Sequence, residues 1–434
     1  MDKIIIGKAV IALTLCLVAY GCLRLCRNAG TFKWSTLRLI VLFLLLRIAA
    51  FVGCFVVLRF EPQSDVMVYV DLARHVLEGN IPGKTDLVPM HYGPLFLYVV
   101  AGVLSLWNDA KAVVLLMALC EFLSFVIWLR IGERLFGQPT TTRAAVLYAC
   151  APISILSGVI AGDNDLLAGL FVSLSVVALM GGRSSWSGAM LGLSIVTSKA
   201  LTILSGIPLF LSARNKPAWL MWGAVPIIAV YGLWVLLSVD ILAGFRFHGT
   251  HYSSGNLPYL LGLLGLDIGT PAVRTVVNAV GAAVVLSVAF LPVLRRRALP
   301  VNEAIVLIAA ANLVFMLVSA KSFPHYAAMV LFPMTIALAS HRDQTRMFAL
   351  YCLYNVTTAV ESSMWFRWFH GALPATVNAQ MSASPGHYLT FVTVEILMLG
   401  SYALLIWCFV STYYAMGRAS TTGLDAALHR PLRR

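Results

Sequence analysis

Charged residues are scarce in this chain. They make up 11% of its 434 positions, against about 25% in ordinary soluble domains, which excludes a string of such domains. Acids are scarcer still, with 18 Asp and Glu against 31 Lys and Arg. No C-x-x-C pair occurs among the eight cysteines. Seven of them lie within or beside apolar segments and Cys26 sits in a basic turn, so neither a disulfide framework nor a thiolate metal site is indicated. A clear internal repeat is also missing, which speaks against transporter folds built from repeated halves. The formal charge of +13 would suit nucleic acid only if the basic residues formed a patch. They are scattered between apolar spans, so no nucleic-acid partner is expected.

What the chain has is hydrophobicity, 60% of its residues, in runs near the 17 to 25 residues needed to cross a bilayer. They fall near 4 to 22, 38 to 58, 112 to 130, 144 to 160, 166 to 181, 218 to 238, 272 to 294, 301 to 319, 326 to 340, 346 to 362 and 388 to 411. The first, Ile4 to Cys22, is led by Lys3 and followed by no A-x-A site, so it reads as a retained helix, not a signal peptide. The expected fold is an all-α polytopic membrane protein, one transmembrane domain over 1–434. Its outer loops span 59–111 and 239–271.

Orientation follows the basic residues. With the first helix starting outside, Arg24, Arg27 and Arg38, then Arg130, Arg134 and Arg143, then Arg342, Arg346 and Arg418 all collect on one side, the cytoplasmic one. Two stretches must then behave specially. Leu95 to Trp107 cannot cross and is an interfacial or re-entrant helix. Ser187 to Leu211 must go out and return as two half-length helices with Lys199 at the outer apex. This scheme has 11 to 13 helices, and it places the acids outside as a water-facing cluster with Lys199, Lys321, His248, His251 and His325.

Several stretches carry candidate chemistry. Ser64 reads as the N-cap of a helix running to about Glu78, ended by Gly79 to Gly83. Met67, Val70, Ala73 and Leu77 give it an apolar stripe suited to a membrane surface. On it Asp65 shares a face with Tyr69, and Asp71 with His75. A carboxylate just outside an apolar span is costly to keep, so Asp65 is the first candidate for a general base towards a hydroxyl. The blander alternative is that both acids favour the helix N-terminus or pair with Arg74. In the turn Gly162-Asp163-Asn164-Asp165, the acids either touch substrate or only cap a helix, and they could bind a divalent metal. Lys199, Lys321 and His325, with Tyr326, offer charge and hydrogen bonds to a phosphate, or else snorkel and cap. In the second large loop, His248 and His251 are spaced for hydrogen bonding to a polar ligand. They are also spaced for zinc, although no third ligand is evident. Arg47, in mid-span, must pair internally or line a cavity.

Taken in order, these stretches resemble GT-C glycosyltransferases, multi-pass enzymes that take a sugar from a polyprenyl-phosphate carrier. They are most similar to mannosyltransferases of the glycosylphosphatidylinositol first-mannose type and their bacterial relatives. The resemblance rests on Ser64-Asp65 to Glu78-Gly79 with His91-Tyr92-Gly93-Pro94-Leu95; on Gly162 to Asp165; on Gly192-Leu193 to Ser198-Lys199; and on His251-Tyr252, Asn256 to Tyr259 and Lys321 to Tyr326. It covers most of residues 38 to 340. Some members carry two acids one residue apart in the first outer loop, and Gln63 stands where the first would fall. The N-terminal span is also additional to the simplest members.

The resemblance implies a GT-C-like bundle with juxtamembrane helices in the first outer loop. It implies a sugar, with mannose one candidate, moving from a polyprenyl-phosphate donor to a lipid or glycan hydroxyl with inversion. Asp65 would be the base, with Tyr69, Asp71, His91, Tyr92, Asp163, Asp165, Lys199, His248, His251, Lys321, His325 and Tyr326 around the substrates. The setting would be a bacterial inner membrane with the site facing the periplasm, or the endoplasmic reticulum membrane in a eukaryote. The rival readings are a transporter or flippase of lipid-linked saccharide and a polysaccharide polymerase.

Overall fold

The computed structural model describes residues 2–28, 34–85, 87–89, 92–244, 246, 252–294 and 298–428, with side chains in the last helix described to 418. Among them every regular element is helical. The chain opens with α1 (Lys3–Asn28) and α2 (Thr36–Phe51), the latter capped by Ser35, whose hydroxyl accepts from the Arg38 amide. A π turn, Val52–Val57, carries α2 on towards the first large loop. There α3 (Asp65–Leu77) and α4 (Phe96–Leu106) pack on each other through Tyr69, Tyr92 and Phe96. At about 1.5 Å per residue, the 11 residues of α4 are too few to cross, as expected for that stretch.

A long helix, α5 (Ala110–Phe136), leads through Gly137 into α6 (Gln138–Ala149) and α7 (Pro152–Ile160), which meet at a 50° bend. Pro152 has no N–H to continue the ladder, so the bend leaves carbonyls unpaired. Arg47 reaches in from α2 and donates to one of them, that of Ala149, and to the Ser154 hydroxyl. Its charge is met by Glu121 of α5 at 2.9 Å, both side chains buried. The mid-span arginine is thus paired internally.

Next come α8 (Asp165–Met180), α9 (Ser184–Thr197), α10 (Ala200–Ser212) and α11 (Lys216–Leu236). The chain does break between α9 and α10 at Ser198-Lys199, giving the two short helices expected there. Helices α9 and α11 approach closely because Gly188 faces the Trp219 carbonyl, where a Cβ would sit 2.0 Å away. Small residues permit such approaches within a membrane. The remainder consists of α12 (Leu257–Leu263), α13 (Pro271–Ala289), α14 (Val301–Val318), α15 (Pro324–Ser340), α16 (Gln344–Phe369), α17 (Pro374–Ala379) and α18 (Pro385–Leu428). Buried on nearly every side, α14 is the axis of the largest apolar cluster.

Seven of the described helices are long and apolar enough to cross a membrane, or eight if the bent α6 and α7 pair is one span. Shorter apolar helices, among them α8, α10 and α15, fill the bundle between them. The protein is an all-α, multi-pass membrane protein.

Candidate functional site

The turn before α8 is the centre of the site. Gly162 adopts φ +64°, and its α-carbon sits so close to Val66 and Val114 that a Cβ would press on both at 3.2 Å. The turn is thereby tucked beneath the first turn of α3, where Asp65 begins the helix. Asp163 and Asp165 end up 4% and 0% exposed, which corrects the expectation that these acids face water. Burial, followed by the nearby charges of Asp65 and Asp165, pushes the Asp163 carboxyl well above the usual carboxylate range. The protonated form of Asp163 is thereby favoured.

Asp165 meets its counter-charge across the bundle. The Lys199 ammonium donates to Asp165 Oδ1 at 2.9 Å and lies 4.4 Å from the centre of the Tyr326 ring. Burial works against the Lys199 charge, but Asp165 outweighs it, and the net effect raises the ammonium above its ordinary range. The second carboxylate oxygen, Oδ2, has no hydrogen-bond partner, nor does either polar atom of the fully buried Asn164 amide. His325 Nε2 approaches Oδ2 to 3.9 Å. The imidazole is stacked on Phe323 and meets Tyr326 edge-on.

Asp65 borders this group on the more open side. It is half-buried and accepts from the Tyr69 hydroxyl at 3.5 Å. Its charge also bears on Tyr92, whose hydroxyl is pushed up by burial first and by Asp65 second. Lys321 stands in the same field. Burial and the Lys199 charge bring its ammonium down to about 8, partly opposed by Asp65.

Backbone bonds lock these segments together. Gly93 N–H donates to the Ser198 carbonyl at 3.0 Å and Leu95 N–H to that of Val196 at 2.8 Å, so the first loop is tied to the break that carries Lys199. On the other flank Ser253 and Ser322 exchange two hydrogen bonds of 2.9 Å, and Gly255 N–H donates to Glu395 Oε1 at 2.9 Å. The serine pair holds the end of the second large loop against the segment carrying Lys321 and His325, and the Gly255 bond ties it to α18.

The structure thus brings together Asp65, Tyr69, Tyr92, Asp163, Asp165, Lys199, Lys321, His325 and Tyr326. Asp71 is not part of the group: six residues beyond Asp65, it lies on the exposed side of α3. His75 faces Glu78 instead of Asp71, and Arg74 bonds Asn108 instead of either acid. Ser64 precedes the helix at φ 70° and makes no side-chain cap, because that backbone turns its hydroxyl away from the first amides. The expected stripe is split as well, with Val70 and Ala73 packed inside while Met67 and Leu77 are exposed. His91, His248 and His251 lie outside the described residues.

Two members of the site escaped the sequence reading. Lys8 of α1 donates to the Ser363 hydroxyl at 2.6 Å and stands within electrostatic reach of Asp163, Glu361 and His325. Asn164 looked like a capping residue, yet its amide is buried inside the site. Among the described residues, Asp163, Asp165 and His325 form a group able to hold a divalent ion, since their ligand atoms all lie within 4.8 Å of one another. Asp165 Oδ2 is unpartnered and suited to it, whereas burial disfavours the charged form of Asp163 that an ion would need.

No family model and no curated protein matches the sequence. Among solved structures, ArnT from Cupriavidus metallidurans bound to undecaprenyl phosphate is 16% identical, over 88% of this chain and 78% of that one, with a TM-score of 0.46. The apo state of ArnT is 18% identical, over 86% and 77%, with a TM-score of 0.48. A likeness this distant decides nothing about substrate or chemistry.

Proposed function

We propose that the protein is a membrane-embedded glycosyltransferase of the GT-C kind, moving a sugar from a polyprenyl-phosphate carrier to an acceptor hydroxyl. One observation carries this reading. The half-buried Asp65 carboxylate borders a cluster whose cations, Lys199 and Lys321, come from separate hairpins and sit beside unpartnered buried polar atoms.

The chemistry follows from that layout. Asp65 takes the proton of the acceptor hydroxyl as its oxygen attacks the anomeric carbon from the face opposite the phosphate. The bond from that carbon to the phosphate oxygen breaks, and the electron pair leaves with the phosphate. Phosphate departs readily, so the protein needs positive charge where its oxygens gain theirs rather than a strong acid. Lys199 has ammonium protons beyond the one given to Asp165, and Lys321 and Lys8 add charge on either side. A divalent ion held by Asp163, Asp165 and His325 would strengthen the same field. Loss of one such contact typically costs about 3 to 4 kcal/mol in the transition state.

The site lies at the start of α1 and α8 and towards the end of α16, whereas Arg24, Arg183 and Arg346 mark the other ends of those helices or the turns beyond them. The basic end is the cytoplasmic one by the distribution of charge, so the reaction belongs on the opposite face. In a bacterium this is the periplasmic face of the inner membrane. Mannose is the first sugar to test, and a lipid or glycan is the acceptor class.

The test uses proteoliposomes supplied with a panel of labelled polyprenyl-phosphate sugars, with wild type beside Asp65→Asn. General bases contribute about 10²- to 10⁴-fold, and a loss of that order with unchanged folding is expected. Equal transfer by the two proteins would remove Asp65 as the base. Saccharide crossing the bilayer with no transfer from any donor would make the protein a flippase.

A further inference from the structure

The basic end of the bundle holds a cavity of about 310 Å³ between the end of α1, the middle of α6, the end of α15 and the start of α16. We infer that it is a binding site for a phosphate group, with the headgroup of an anionic membrane lipid as the expected bearer. Among the described residues that line it are two arginines, Arg24 and Arg143, and no acid, together with the apolar Leu147, Leu338 and Met347. Arg24 is oriented by donating from Nε to the Tyr20 hydroxyl at 2.8 Å. A guanidinium has five N–H donors, so this bond leaves others for a second acceptor, and its fork suits phosphate oxygens. Thr345 also lines the cavity. The Gln344 amide is already committed to the carbonyls of Ala339 and His341.

Position argues for a lipid source. Lys8 marks the candidate site on α1, and Arg24 follows 16 residues later, about 24 Å away along a helix. That separation approaches the thickness of the hydrocarbon core, about 30 Å. The cavity therefore lies at headgroup level in the leaflet opposite the candidate site and is separate from it. Leu17, Tyr20 and Leu25 are exposed on the same helix, giving acyl chains an apolar surface beside the mouth.

The experiment measures thermal unfolding of the full-length protein in neutral detergent with added phosphatidylglycerol, with phosphatidylcholine at equal mole fraction, or with inorganic phosphate. Phosphatidylglycerol should raise Tm by at least about 4 °C by mass action on the folded state, and phosphatidylcholine should not. Arg24→Gln/Arg143→Gln should keep less than half of the rise. Arg24→Gln alone, at an exposed helix end, should also lose part of it if the double variant does not fold. High salt should shrink the effect, because the arginines are partly open to water. A full rise with inorganic phosphate alone would support the phosphate site and assign it to a soluble ligand. Equal rises in wild type and the variants, or with both lipids, would overturn the site.

Discussion

Lys199 satisfies a buried carboxylate, and in the proposed reaction it must also present charge to the donor phosphate. Lys199→Met would leave Asp165 fully buried without its counter-charge, and removing one partner of a buried pair costs about 3–5 kcal/mol. We expect a clear fall in Tm for Lys199→Met and recovery of most of it in Lys199→Met/Asp165→Asn, with transfer lost in both. Recovered transfer in the double variant would show that Lys199 serves only to neutralise Asp165.

Lys321 supplies a pH dependence. Its folded value of about 8 lies below the ordinary 10.5, so the ammonium is present below pH 8 and is lost as pH rises through it. Transfer should decline over that window. Lys321→Arg, which stays charged, should move the alkaline limb upwards. A limb unchanged in Lys321→Arg would assign the titration to another group.

At this scale the sequence was legible where a polar residue interrupts an apolar stretch beside a loop, as at Asp65, Lys199, Lys321 and His325. Lys8 was not, because it sits inside an apolar run and finds its partner 355 positions away. At Asn164 the sequence leaves capping and substrate contact open, since an unpaired buried amide looks the same in sequence as a paired exposed one.

Among the elements, the tie between the first loop and the α9–α10 break depends on a close backbone approach. A Cβ on Gly93 would stand 2.8 Å from the Val196 carbonyl group. Gly93→Ala must push the two segments apart, at a cost of about 1–3 kcal/mol for overpacking. The expected outcome is a lower Tm together with loss of transfer, since Lys199 follows the break. A variant with full transfer would show that this tie does not position Lys199. The break itself could be read from the shortness of the run and its basic flanks. The bend at Pro152 left only the proline as a clue, and the π turns at 52–57 and 155–160 left none, being set by how α2 and α7 pack. The depth of the 161–164 turn was likewise invisible, because it depends on α3 closing over Gly162.

For the whole molecule, the decisive quantity is which way the bundle faces. A single cysteine at Ser64, which is exposed, should react with an impermeant reagent from outside intact cells in a background without native cysteines. Labelling only after the cells are opened would invert the topology. The arginine held in the bend between α6 and α7 bears on biogenesis. Arg47 enters the membrane 74 residues ahead of Glu121, so during synthesis the second span is inserted while its counter-ion is still unmade. An arginine at mid-span costs about 2.5–3.5 kcal/mol at insertion, so Glu121→Ala should deplete the protein from membranes more severely than Arg47→Met/Glu121→Met, as quantitative immunoblotting would register. The nascent chain thus carries an unpaid electrostatic debt across two helices, and the ribosome's pace sets how long it stays open.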